Sequence, residues 1–187
     1  MSNISTLRLS DWIAKDKSHE ETERQERISE LLSFFSVPKN PDVERFAHKN
    51  AIPYEKANKG RTYILVDENT YPLAYFTLGL GRLEYSADIS GKLWKKLRGV
   101  GDGDATVLTC ILLGQLARNH GVSYDSLPKG CLFNEMLNAV YQGQSFVGGR
   151  FLLAECNDDL IGYYQKKGFI HLYKNSNNHL NQMILLL

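Results

Sequence analysis

Asn157-Asp158-Asp159-Leu160-Ile161-Gly162-Tyr163-Tyr164-Gln165-Lys166-Lys167-Gly168-Phe169 follows directly on the apolar run Phe151 to Ala154. A buried strand therefore feeds straight into a short helix. Asn157 is placed to cap that helix, since its side-chain oxygen can accept a free first-turn N–H. Asp158 and Asp159 fall at the positive end of the helix dipole, Lys166 and Lys167 at the negative end. Gly168 supplies a left-handed C′ residue, and Phe169-Ile170-His171-Leu172 begins another strand. Gly162 costs about 1 kcal/mol against Ala in mid-helix, which signals a close neighbour there.

The rest of the chain supplies this unit's surroundings. Leu9 to Phe35 reads as one or two helices, with a charge-rich part (Lys15 to Arg27) ahead of an apolar face at Ile28, Leu31, Leu32 and Phe35. Val37-Pro38-Lys39-Asn40-Pro41 breaks them. A further helix runs from Pro41 or Asp42 to Lys56, with Val43, Phe46, Ala47 and Ala51 on one face and a kink at Pro53. Thr62 to Val66 and Pro72 to Leu80 form a hairpin around Asp67-Glu68-Asn69. Glu84 to Asp104 reads as an irregular linker. Ala105 to Ala117 is long and apolar, a central strand buried on both faces, with Gly114 marking a bulge or close approach. Leu132, Phe133, Met136, Leu137 and Val140 show helical spacing, closed by Gln142-Gly143, and Gln182 to Leu187 is a terminal strand.

With 187 residues, 43% hydrophobic and 23% charged, the chain has the size and composition of one ordinary globular domain. A net charge of +1 provides no long-range steering toward nucleic acid or an anionic membrane. No apolar run approaches the roughly 20 residues of a membrane helix, and the N-terminus lacks a signal-peptide core. Cys110, Cys131 and Cys156 lie in apolar segments without a CxxC pair. They read as reduced core thiols of a cytoplasmic protein rather than metal ligands.

Asn157, the pair Tyr163-Tyr164 and Gly168-Phe169 resemble the helix-opening Asn and YxxxGF signature of the GNAT superfamily of N-acetyltransferases. The element order is similar to that superfamily over residues 41–187, with residues 1–40 an added helical extension. The resemblance implies an α+β fold in three α/β/α layers: a mixed, mostly antiparallel sheet with a splayed central parallel pair. It implies acetyl-CoA as co-substrate, with the pantetheine arm pairing along Gln115-Leu116-Ala117-Arg118 on one side and Ala154 to Asn157 on the other. Leu116 or Ala117 would present an N–H to the thioester oxygen. The pyrophosphate would lie at the N-terminus of the next helix, near Ser126, Lys129 and Gly130. That segment, Asp125-Ser126-Leu127-Pro128-Lys129-Gly130-Cys131, departs from the family's usual [Gln/Arg]-x-x-Gly-x-[Gly/Ala] loop.

Tyr164 matches the family's general acid for the departing thiolate. On the residues alone it also fits the buried stripe of its helix, with Leu160, Tyr163 and Lys167. Glu155 is the candidate base, with Glu84, Tyr85 and His120 as alternatives. Leu112-Leu113-Gly114-Gln115-Leu116-Ala117 resembles the "LLGRLA" strand of a branch of toxins that acetylate aminoacyl-tRNA, with Gln115 where Arg is usual. Pro41 to Phe46 and Thr62-Tyr63 resemble the same branch. Lys92, Lys95, Lys96 and Arg98 around Trp94, with Lys166, Lys167 and Lys174, are the basic residues available to an RNA, although the near-zero net charge disfavours one. The acceptor is thus a primary amine of open class. Two non-enzymatic readings stand beside this one: an interaction module that has lost coenzyme binding, and a homodimer formed through the amphipathic N-terminal helix.

Overall fold

The computed structural model describes residues 3–13, 19–101 and 103–187. Asp102 and the part of the charge-rich N-terminal run at Lys15 to Lys17 lie outside the described residues. Seven strands form one mixed sheet: β1 (Ser5–Arg8), β2 (Arg61–Val66), β3 (Pro72–Glu84), β4 (Val107–Arg118), β5 (Phe151–Cys156), β6 (Ile170–Lys174) and β7 (Asn181–Leu186). Their order is β1-β2-β3-β4-β5-β7-β6. β4 and β5 pair in parallel, while β1 with β2, β2 with β3, β5 with β7 and β6 with β7 are antiparallel. This is the expected α+β sheet with its parallel pair.

The helices are α1 (Leu9–Trp12), α2 (His19–Ser33), α3 (Pro41–Arg45), α4 (Ala51–Lys56), α5 (Gly91–Arg98), α6 (Cys131–Val147) and α7 (Ile161–Lys166). A π-helical turn, Phe46–Asn50, joins α3 to α4. Asn40 caps α3, accepting the Val43 N–H at 3.3 Å, and Pro41 occupies the first turn. The expected kink at Pro53 takes this form: Ala51 N–H reaches back to Phe46 O, five residues earlier, and the helix passes Pro53 without a break.

Three sequence expectations are corrected. Leu9 to Phe35 is preceded by β1, whose four residues are too few to show a period-two pattern. The linker after Glu84 contains α5, capped by the Ser90 hydroxyl on Leu93 N–H at 3.3 Å. Its buried Trp94 and Leu97, with Leu93 half-buried, carry the helical spacing. Gln142-Gly143 does not close α6, which runs to Val147 and stops at Gly148 and Gly149, at φ +75° and +135°.

The chain forms two compact units. The first comprises Met1–Leu78 and Gln115–Ala139, and the expected boundary after residue 40 falls inside it. Its core holds Leu9, Ile28, Leu32, Phe35, Ala47, Ala51, Ile64 and Tyr75. Each large side chain buried there is worth about 1.5–3 kcal/mol. The second unit comprises Gly79–Gly114 and Val140–Leu187, around Leu83, Trp94, Leu97, Phe151, Leu153 and Ile184. There the parallel ladder joins Ile111–Leu113 to Leu152–Ala154, and Gly114 follows the last of these pairs.

Candidate functional site

In the first unit, β4 ends at Arg118 and a loop leads to α6. Leu116 is half-buried and Ala117 buried. Arg118 spends its side chain on that loop. Its Nε and Nη2 donate to Val122 O at 3.2 and 2.8 Å, Nη1 to Leu127 O at 2.9 Å, and Nη2 also to Ser123 O. The guanidinium lies 4.6 Å from the centroid of the Tyr124 ring. A planar fork bonded to three carbonyls holds the loop's shape, which explains how a connection longer than usual stays ordered.

Ser126 is not a helix cap, because α6 begins only at Cys131. The Ser126 N–H instead donates to Ser123 Oγ at 3.1 Å, and the two hydroxyls lie 3.0 Å apart. Asn134 N–H closes the first helical turn on Gly130 O at 2.9 Å, so the free first-turn amides start at Cys131. Gly130 adopts φ +89°, and a Cβ there would meet nothing within 4 Å. Lys129 beside it is exposed. Gln115 carries a buried Oε1 with no hydrogen-bond partner among the described residues.

In the second unit, β5 delivers Cys156 and Asn157 into a 3₁₀ turn, Asp158–Leu160, followed by α7. Asn157 stands at the N-cap position with extended backbone, but its side chain makes no capping hydrogen bond. That correction leaves its amide exposed. Gly162 has no heavy atom within 4 Å of a built Cβ, so the close neighbour expected there is absent.

The helix end is as the sequence implies. Gly168, at φ +89°, donates to Gln165 O at 3.0 Å, and Phe169 N–H to Tyr164 O at 3.1 Å. This is a Schellman closure, and its apolar contact is the pair Tyr164 and Phe169, with ring centroids 5.0 Å apart. Tyr164 is 7% exposed, and its hydroxyl has no hydrogen-bond partner among the described residues. Burial, then the neighbouring Cys156 and Tyr163, push its phenol well above the ordinary range. Tyr163 beside it is 41% exposed. Cys156 is itself pushed up to about 11 by burial and by Asp159 and Asp158.

Glu155 is exposed, but its Oε1 already accepts from Gln182 Nε2 at 2.7 Å and Asn178 Nδ2 at 3.2 Å. Glu84, Tyr85 and His120, the other bases considered, are exposed. Among the basic residues, Lys92, Lys95 and Lys96 line the exposed side of α5, whereas Lys174 is bound to Asp158. Sequence reasoning missed Asn181, which is 2% exposed and bonded to the β5–α7 turn. An Asn at the start of a terminal strand offers no local pattern that would have singled it out.

The chain has the GNAT-type fold that its α7 signature resembles, and solved structures share that fold along nearly its whole length. It is similar to a tyrosine-to-phenylalanine mutant of KacT, with TM-score 0.69 and 20% identity over 98% of this chain and 94% of that one. It is also similar to AtaT complexed with acetyl-methionyl-tRNAfMet, with TM-score 0.68 and 19% identity over 98% and 95%. A third structure is an AtaT mutant toxin bound to the C-terminus of the antitoxin AtaR and acetyl-CoA, with TM-score 0.64 and 18% identity over 98% and 92%. No protein-family model matches the sequence, and no curated protein matches it.

Proposed function

We propose that this chain is an acetyl-CoA-dependent N-acetyltransferase, with a primary amine as acceptor and Tyr164 as general acid. The observation that carries the reading is Tyr164, buried on a GNAT-type helix with its hydroxyl unpartnered among the described residues. Burial keeps the phenol protonated across the neutral range, the state in which it can hydrogen-bond to a departing sulfur. The acceptor nitrogen attacks the thioester carbonyl, the C–S bond breaks, and the thiolate takes the phenol proton. The amine's surplus proton leaves through a base or water, with Glu155 the candidate. Leu116, Ala117 and the backbone of Arg118 would serve the pantetheine arm. The first-turn amides of α6, with Gly130 and Lys129, would serve the pyrophosphate, and Asn157 offers an uncommitted amide.

An aminoacyl-tRNA acceptor is the second reading. It is supported by the AtaT complex with acetyl-methionyl-tRNAfMet, and the neighbours' nucleic-acid and antitoxin partners weigh against dismissing nucleic acid on net charge alone. Calorimetry with acetyl-CoA, together with transfer assays on methionyl-tRNA and on simple amines, tests both readings. Tyr164→Phe should bind acetyl-CoA as wild type does and transfer about a hundredfold more slowly. No binding at millimolar coenzyme would overturn the enzyme and leave an interaction module.

A further inference from the structure

Asn181 stands where three strands of the second unit meet. Its Cα pairs with Cys156, the last residue of β5, and with Lys174, the last of β6. Its Nδ2 donates to Cys156 O at 3.2 Å and to Asp158 Oδ1 at 2.7 Å, while its Oδ1 lies 3.0 Å from His171 Nε2. A carbonyl and a carboxylate only accept, so the amide has one orientation, and His171 must donate from Nε2. Lys174 Nζ binds the same carboxylate at 2.9 and 2.7 Å. Asp158, the first residue of the 3₁₀ turn, is thereby tied to both β6 and β7.

We infer that Asn181 is a positioning residue for acetyl transfer, setting the angle at which the β5–α7 turn leaves the sheet and so where the Tyr164 hydroxyl stands. The inference rests on the role proposed for Tyr164. Six residues of helix cannot hold their own direction in water. The Schellman closure fixes the far end of α7, and Asn157 makes no cap at the near end. The fixing of the near end falls to Asp158, held by Asn181 and Lys174. Asn181 is the buried member, joined to β5, β6 and the turn at once.

The test compares wild type with Asn181→Asp and with Asp158→Ala, each with and without Tyr164→Phe. Asn181→Asp keeps the side chain's shape but sets acceptor against acceptor at both donor contacts. Asp158 is exposed, so Asp158→Ala alters the tie without burdening the core. Amide exchange should quicken on the order of tenfold at residues 157–169 in both variants and stay unchanged in the core strands. In acetyl transfer, kcat should fall on the order of tenfold with the KM for acetyl-CoA held. Neither substitution should cost anything further once Tyr164 is Phe, as two changes acting through one group are not additive. Unchanged exchange in both variants, or losses that add to that of Tyr164→Phe, would overturn the inference. A Tyr164→Phe protein that transfers at the wild-type rate would instead sink the acid role, and the positioning role with it, which separates the two failures.

Discussion

Asn119 satisfies three backbone groups with one side chain. Its Nδ2 donates to Phe34 O at 3.1 Å and Pro72 O at 2.9 Å, and its Oδ1 accepts from Ser36 N–H at 2.9 Å. It is 2% exposed, so truncation strands those groups away from water. Asn119→Ala should therefore cost roughly 2–3 kcal/mol in a urea titration, and Asn119→Asp more, since its carboxylate would face two carbonyls. Glu55 is another buried polar group with a different sign. It accepts from Arg61 Nη1 at 3.0 Å and Thr62 N–H at 2.8 Å, yet burial outweighs both and raises its carboxyl above 4.5. A raised folded-state value adds stability that is full below the unfolded value and lost as pH rises through the folded one. The wild-type urea midpoint should thus carry a downward contribution with pH just above 4.5. That contribution should be missing from Glu55→Gln when the two are compared point by point.

Helix ends show how far local sequence rules reach. Gly168-Phe169 announced the end of α7 because a Schellman closure needs only a left-handed residue and one apolar partner. Gly168→Ala should cost about 1–2 kcal/mol by thermal denaturation, the strain of an L-residue in that conformation. The parallel pair was legible for a similar reason, since Phe151 to Ala154 is continuously apolar and buried. The end of α5 was not, because its closing partner is remote in sequence. Arg150 donates Nε to Leu97 O at 3.0 Å and Nη2 to Lys96 O at 3.1 Å, and its guanidinium lies 2.8 Å from a Cβ built on Gly99. Gly99→Ala should lose more stability in wild type than in Arg150→Ala, because only the φ +80° strain survives once the guanidinium is gone. Arg118 and Asn181 escaped notice in the same way: each satisfies backbone or carboxylate groups that only the folded chain brings within reach.

Across the whole molecule the three cysteines are free and differ in access. Cys110 and Cys156 are buried, with thiols pushed up to about 12 and about 11, chiefly by burial, whereas Cys131 is half-buried at the start of α6. A thiol reagent at mildly alkaline pH should modify Cys131 first and reach the others only on unfolding. If the α6 amides hold the coenzyme's pyrophosphate, acetyl-CoA should slow that first reaction. No helix among the described residues is long and apolar enough to cross a membrane. The π-helical turn at Phe46–Asn50 has a consequence for phase. An α-helix advances about 100° per residue, and a π turn accommodates one residue more than the regular repeat. Removing one residue from Phe46–Asn50 would therefore regularise the helix while rotating everything after it. Glu55 would swing away from Arg61 and the Thr62 amide, leaving β2 without its charged anchor. A shortened chain would gain a smoother helix and lose the alignment that joins that helix to the sheet.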